Sequence, residues 1–295
     1  MCLVPCRRMG RARSLVARAA ASGPGQWVLD HGCAIRDSVD RATGRADPLV
    51  PPTRMMFDGP RGVKAYRENG REFLAHFRSL GGLKPEEDVL DVGSGIGRKA
   101  MPLTGFLLPT SRYEGFDINT SGVEWCRAHI SARFPNFHFQ PADVYNAHYN
   151  PDGATAASEY VFPFDDESFD FVFLGSVFTH LVPADLDNYV AQIARVLRPG
   201  GRMLATFFLL DDVTEAQTRA GRAFYDFRFE CPGHRVFDPK DPEYAVAYAT
   251  NDMFEIVRSH GLDVSDDTVY LGSWSGRPYG LSFQDIVVAT KPGRG

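Results

Sequence analysis

Apolar residues recur along this chain in two rhythms, one helical with a period of about 3.6 residues and one strand-like. From about Val63, Tyr66, Phe73, Leu74, Phe77 and Leu80 share one helix face, with Gly70 a weak point inside it and Gly81-Gly82 at its end. The run Asp88–Val92 predicts a short strand, followed by a glycine turn and a helix through about Leu108. Pro102 inside that helix predicts a kink or a restart. Tyr113–Ile118 and Phe137–Gln140 predict two further strands. Between them a helix from Ser121 to about Phe134 turns Val123, Cys126 and Ile130 inward. Phe169–Leu174 is apolar throughout, as a central strand buried on both faces would be. Ala184–Leu197 is an amphipathic helix with Leu186, Tyr189, Val190, Ile193 and Leu197 on one side, stopped by Arg198-Pro199-Gly200-Gly201. Arg202–Leu210 predicts a fifth strand. A helix over about 252–260 and strands over about 266–272 and 284–291 close the pattern.

Three segments break the rhythm. Residues 23–60 mix Gly, Pro, Asp and Arg without periodicity, residues 144–161 are polar and turn-rich, and residues 211–250 are aromatic and charged. Strands alternating with helices predict right-handed crossovers and a parallel sheet covered on both faces. Ligands of such a sheet bind beyond the carboxyl ends of its strands. The chemistry should therefore lie at 93–97, 117–119, 143–145, 175–180 and 211–212.

The turn after the first strand reads Gly93-Ser94-Gly95-Ile96-Gly97. Glycines permit a tight turn and let backbone amides approach a ligand without a Cβ between them, and the following helix would direct its free N–H groups to the same place. A dinucleotide fingerprint would need its last glycine where Arg98 stands, and a phosphate-gripping loop would need Gly-Lys-Ser/Thr. An acid precedes the glycines, Asp91, and a second acid, Asp117, ends the second strand 20 residues past Gly97. Two readings of Asp117 stand: a carboxylate that accepts from both hydroxyls of a ribose, or a cap of the turn Phe116-Asp117-Ile118-Asn119.

Over about residues 60–295 the chain resembles the class I S-adenosylmethionine (SAM)-dependent methyltransferases. The resemblance rests on Val89–Gly97, Gly115–Ile118, Phe164–Val172 and Arg195–Gly201 taken together. It implies an α/β, Rossmann-like, doubly wound sheet of seven strands, the last antiparallel, with SAM across the ends of strands one to four. The turn Asp91–Gly97 would hold the cofactor, with Gly93, Ser94, Gly95 and Gly97 along its methionine part. Asp117 would bind the ribose and Ile118 pack on the adenine. Asp143 would accept from the adenine amino group and Val144 offer its amide, and Ser176 is placed with this set. One departure bears on Asp143: 19 residues separate it from Pro163, where many relatives have a few. This insertion would cover the adenine or the substrate mouth.

Methyl transfer from a sulfonium needs chiefly a positioned acceptor and exclusion of water, and a hydroxyl acceptor also needs a base or a metal. His180, just past strand four, is the first base candidate; the other reading makes it a helix cap or a packing residue under the cofactor. Asp211 is the second. With Asp212 and His234 it could instead hold a divalent ion, or simply end a strand in solvent; no metal is expected. Residues 211–250, rich in Phe and Tyr, form a cap insertion after strand five, as an acceptor cover or as a hydrophobic subcore. Trp274, Arg277 and Tyr279 would frame the same pocket, and Tyr66 and Arg67 would belong to a lid. The domain layout expected is an N-terminal extension over 1–54 and a methyltransferase domain over 55–295.

Composition narrows the acceptor. The formal charge of the 295 residues is −5, whereas a chain gripping phosphates is usually basic. The base-methylating motif Asn/Asp-Pro-Pro-Tyr does not occur. A small-molecule or saccharide substrate, methylated on a hydroxyl, is expected, with RNA or protein methylation and a non-catalytic SAM-binding role as alternatives. No nucleic acid and no membrane partner are expected, and the chain would be a monomer or homodimer. Five cysteines without a Cys-x-x-Cys pair point to reduced thiols and a cytoplasmic protein. Arg7, Arg8, Arg11, Arg13 and Arg18, with no acid among the first 22 residues, read as a basic disordered tail, a transit peptide or translated upstream sequence.

Overall fold

A computed structural model describes residues 47–57, 59–147 and 149–294. The Arg7–Arg18 segment, Cys2, Cys6, Cys33 and the lead-in up to residue 46 lie outside the described residues. The chain divides into two compact units, Met1–Tyr66 and Arg67–Gly295. In the first, the proline pair 51–52 leads into a single 3₁₀ turn, Thr53–Met55.

Helix α1 spans Val63–Ser79. Strands follow as β1 (Val89–Val92), β2 (Tyr113–Asp117), β3 (Phe137–Pro141), β4 (Phe169–Leu174), β5 (Leu197–Phe207), β6 (Leu209–Leu210), β7 (Phe229–Cys231), β8 (His234–Val236), β9 (Val246–Ala249), β10 (Val269–Tyr270) and β11 (Asp285–Thr290). A seven-stranded sheet runs β10-β11-β5-β4-β1-β2-β3. Its pairs β4–β5, β1–β4, β1–β2 and β2–β3 are parallel, and β11 is antiparallel to β5. The expected doubly wound sheet with an antiparallel last strand is therefore present.

The two faces of β4 explain its unbroken apolar sequence. Side chains alternate along a strand. Val172 and Leu174 enter the main core with Leu90, Val92, Leu186, Val190 and Ile193. Phe171 and Phe173 point the other way, onto Phe77 of α1, with ring centroids 5.6 and 4.3 Å apart.

Several elements differ from the sequence reading. The helix after the glycine turn is only α2, Ala100–Leu103. Pro102 sits in its first turn, where a missing N–H costs nothing. Beyond it the Thr104 hydroxyl returns to the Met101 carbonyl, and the chain leaves the helix. Free amides of a long helix therefore do not contribute at this turn as expected. Helix α3 (Thr120–Cys126), capped by the Asn119 side chain, passes into a wider π turn over Arg127–Ser131. Helix α4 (Pro183–Val196) stops as expected, but β5 starts at once. The pairing jumps from Phe169↔Leu197 to Phe171↔Arg202, so the Arg-Pro-Gly-Gly signal marks a bulge, not a loop before the strand. The strand expected over 266–272 shrinks to β10, because Ser265 and Thr268 form a capping box over a 3₁₀ turn.

The cap insertion is a second, four-stranded sheet, β6-β9-β8-β7, accompanied by helix α5 (Asp212–Arg219). Helix α6 (Thr250–Ser259) then leads back to the main sheet. No helix among the described residues is long and apolar enough to cross a membrane.

Gly70, the weak point of α1, is a point of close approach. A Cβ there would lie 2.5 Å from the Arg98 carbonyl oxygen and 3.3 Å from Pro102 Cδ. Gly70→Ala should therefore destabilise the protein by about 1–3 kcal/mol through overpacking, against the helix-propensity gain of alanine. Urea denaturation of the variant checks the sign; a gain in stability would contradict the packing.

Candidate active site

At the end of β1 the chain turns through Gly93, Gly95 and Gly97 with φ of +81°, +55° and +77°, the left-handed region that other residues avoid. The amides of Gly93 and Ser94 both donate to the Phe116 carbonyl, at 2.9 and 3.0 Å. A Cβ on Gly93 would come within 2.4 Å of Val177, so this turn also abuts the loop after β4. Ser94 is buried against Gly115, where an added Cβ would meet it at 3.0 Å.

Asp117, at the end of β2, is buried. One of its oxygens accepts the Gly95 N–H at 2.7 Å and the other the Asn119 N–H at 2.7 Å. These two bonds orient the carboxylate from the backbone. Asn119, not Asp117, caps α3. Asp117 does not cap the helix; its bond to the Asn119 N–H closes the local turn, and its bond to the Gly95 N–H ties that turn to the one after β1. Ile118 is half-buried and packs on the main core.

Asp91 is placed differently from the glycines beside it. It is buried and accepts the Tyr113 hydroxyl at 2.5 Å, across from β1 to β2. Tyr113 in turn stacks on Phe137 at 4.6 Å. This carboxylate supports the strand pair under the turn.

Asp143 is exposed, and its side chain accepts the Ala154 N–H at 3.1 Å. Its carbonyl accepts from Thr155, whose own carbonyl accepts the Tyr145 N–H. The insertion over 144–161 therefore folds back onto its own start. Along an extended chain successive amides alternate in direction, so the Val144 N–H faces away from Thr155.

The loop after β4 carries backbone strain. Ser176 has φ +67°, held by its N–H to the Thr206 hydroxyl at 2.7 Å, while its own hydroxyl donates to Gln284 at 2.8 Å. Such outliers gather at ligand sites. Next along the loop, His180 closes a 3₁₀ turn over Phe178–His180. Its Nδ1 lies 2.9 Å from the Glu243 carbonyl oxygen, and Tyr149 meets the ring edge-on at 5.4 Å. A carbonyl only accepts, so Nδ1 carries the proton of this contact.

Glu243, which sequence reasoning missed, joins the two insertions. Its main chain holds His180, and its carboxylate accepts from Asn146 Nδ2 at 2.7 Å and the Ala147 N–H at 2.8 Å. Burial pushes its carboxyl up; the Ala147 hydrogen bond opposes this, and the charges of Asp185 and Asp241 add to it. Beside it, burial together with Tyr244 and Tyr149 pushes the Tyr225 phenol up to about 12. Tyr225 lies among Phe208, Phe227, Phe237 and Phe283, while Phe224 and Phe283 are largely exposed at the rim. The aromatic insertion is thus a hydrophobic subcore with an exposed edge.

Asp211 is engaged by structural partners. It caps α5 by accepting the Thr214 N–H at 2.7 Å, and it is ion-paired with Arg277. Burial raises its carboxyl, but the Thr214 and Arg277 hydrogen bonds outweigh that and hold it below the usual aspartate value. His234 Nδ1 lies 3.0 Å from the Pro232 carbonyl oxygen, and no group of three His, Cys, Asp or Glu among the described residues is placed to hold a metal. The three residues expected to frame the pocket also separate. Trp274 is fully buried, donating its indole N–H to Asp285 at 2.7 Å; Arg277 belongs to Asp211; Tyr279 is 89% exposed. Asp285, also missed, accepts from Leu209, Gly272 and Trp274 and so joins β6 to the loop before β11.

The sequence profile of a family described as "Methyltransferase domain" matches residues 90–205. A phthiotriol/phenolphthiotriol dimycocerosates methyltransferase of Mycobacterium tuberculosis is 37% identical over 115 residues, 39% of this chain and 35% of its own. A fatty-acid O-methyltransferase of Mycolicibacterium smegmatis is 33% identical over 118 residues, 40% of this chain and 36% of its own. The chain thus spans about a third of the length of these curated relatives. Among solved structures, the 1,6-didemethyltoxoflavin-N1-methyltransferase of Burkholderia thailandensis with bound S-adenosylhomocysteine superposes with a TM-score of 0.50. It is 17% identical, with coverage of 92% of this chain and 91% of that one, a likeness of fold.

The Asp211 carboxyl gives a signed pH dependence. Its folded pKa is lowered, so its contribution to stability is complete above the ordinary value of about 3.9 and is lost as pH falls through the lowered one. In denaturant titrations from about pH 5 downward, Asp211→Asn should show a shallower acid loss of stability than the parent chain. Parallel acid limbs would contradict the assignment.

Proposed function

We propose that this chain, which belongs over residues 90–205 to the methyltransferase-domain family and has the class I SAM-dependent fold, transfers a methyl group from SAM to a hydroxyl on a small, largely apolar molecule. The observation that carries the cofactor reading is the joint of Gly95 and Asp117: a glycine cradle with three left-handed positions, held against a buried, pre-oriented carboxylate. These residues fit SAM. Asp117 would accept from the ribose hydroxyls, Ile118 and the Val144 N–H would meet the adenine with Asp143 at its edge, and Gly93, Ser94, Gly95, Gly97 and Ser176 would enclose the methionine part. When bound, SAM supplies an already electrophilic methyl group.

His180 is the base of this reading. Its Nδ1–H is committed to the Glu243 carbonyl, which orients the ring, and Nε2 is the nitrogen that would take the proton of an acceptor hydroxyl. Tyr149 and Glu243, from separate insertions, limit its rotation. The aromatic rim of Phe224, Tyr244 and Phe283 supports an apolar acceptor over a saccharide, in keeping with relatives named for a dimycocerosate lipid and for fatty acids. The net negative charge weighs against RNA.

Two measurements test the reading. S-Adenosylhomocysteine should bind in calorimetry, and Asp117→Ala should abolish that binding; a folded parent chain that does not bind would sink the cofactor assignment. With labelled SAM and a lipid extract as acceptor, label should appear in an organic-soluble product. His180→Gln should lower turnover by roughly 10²–10⁴-fold without weakening S-adenosylhomocysteine. Unchanged turnover would remove His180 as the base.

A further inference from the structure

We infer that Lys99 binds the carboxylate at the amino-acid end of the cofactor, an inference that rests on the SAM reading above. Lys99 follows the glycine turn directly, and its side chain runs to the end of β4. A Cβ placed on Gly175 would lie 2.1 Å from Lys99 Cε and 2.5 Å from Nζ. Glycine at 175 is therefore what gives the ammonium its room. On the other side the ammonium stands 4.9 Å from the centre of the Phe73 ring of α1. Lys99 is half-buried, and among the described residues it meets no carboxylate. A partly desolvated ammonium without a counter-ion is costly, and an aromatic face offsets only part of that cost.

Strand order says which end of a ligand reaches it. The sheet runs β4-β1-β2, so β2 and β4 flank β1 on opposite sides. A cofactor whose ribose is held by Asp117 at β2 and which crosses the β1 turn presents its far end to β4. That far end is the α-amino acid, and its carboxylate is the one anion of SAM. The turn and the β4 loop touch there, since a Cβ on Gly93 would meet Val177 at 2.4 Å, and Lys99 reaches into the same junction. A lysine at this position supplies a point charge, reached past two glycines, 93 and 175, that carry no side chain to block it.

The test compares two ligands that share the adenosine and thioether and differ in the amino-acid part. S-Adenosylhomocysteine and 5′-methylthioadenosine are titrated calorimetrically into the full chain and into Lys99→Met, which keeps the apolar stem over Phe73. Lys99→Met should weaken S-adenosylhomocysteine by about tenfold or more and leave 5′-methylthioadenosine unchanged, and Lys99→Arg should restore most of the loss. Unchanged affinity for S-adenosylhomocysteine overturns the assignment. So does an equal loss for both ligands, which would make Lys99 a structural residue, with the melting temperature of the variant as the companion reading. A parent chain that binds neither ligand overturns the SAM reading itself, and the role of Lys99 with it.

Discussion

The hydrogen bond from the Gly95 amide to the Asp117 carboxylate is the constraint on which the cofactor side depends. It ties the turn after β1 to the end of β2, 22 residues later, and it needs Gly95 in a left-handed conformation. The neighbouring bonds from Gly93 and Ser94 to Phe116 tighten the same joint. With these amides spent on β2, the cradle is rigid before any ligand arrives, so less ordering remains to be lost on binding. The glycines answer to two demands at once. They satisfy the positive φ of the turn, and Gly93 also leaves room for Val177 from the β4 loop.

The acceptor side is built on a different principle. Its parts come from three segments that the sheet does not require: 144–161, 211–250 and 271–284. Polar groups acting over long sequence separations help to fix them. Glu243 joins Asn146 and Ala147 to His180, and Asp285 joins Leu209 to Gly272 and Trp274. Both carboxyls are pushed up by burial, partly compensated by the amides that bind them. Polar joints of this kind define one arrangement of otherwise apolar loops, because a buried acceptor without its donor would be expensive.

What could be read from the sequence divides along the same line. Strand β4 was legible because an unbroken apolar run between turn signals has few alternatives, and the structure buries both of its faces. The glycine turn and Asp117 were legible through spacing, since a parallel sheet brings the ends of adjacent strands together wherever the intervening helix lies. The tie of Asp91 to Tyr113 was not, because a lone acid before a glycine turn says nothing about which face of β1 it occupies. The partners of Asp211 were hidden for a related reason. Asp211-Asp212 at a strand end is equally the start of a helix, and its partner Arg277 lies 66 residues away with no pattern to announce it. The small sheet β6-β9-β8-β7 escaped because its strands of two to four residues are too short for a period to show. Glu243 and Asp285 are single acids in loops, and only packing reveals that they are joints.

These two halves also differ in what their chemistry can reveal. Residues 90–205, the span of the family match, run from β1 into β5 and contain the cradle, Asp117, Lys99 and His180. On the proposed reading they would hold an adenosyl ligand and place a base at the end of β4, demands shared by many acceptors. The second sheet, Tyr225, Tyr244, Phe224 and Phe283 all lie beyond residue 205. Ser176, strained and bonded to Gln284, links the loop after β4 to the segment before β11, beside Phe283. A change of acceptor would therefore be written in 208–284 with the cradle untouched. Ser176 with Gln284 and His180 with Glu243 are two of the contacts between these parts, beside the β5–β11 pairing, the bonds of Glu243 to Asn146 and Ala147, and the bond of the Tyr248 hydroxyl to the Leu181 carbonyl. Such ties set where the later loops stand against the loop after β4, and methyl transfer is a reaction in which position is most of the catalysis.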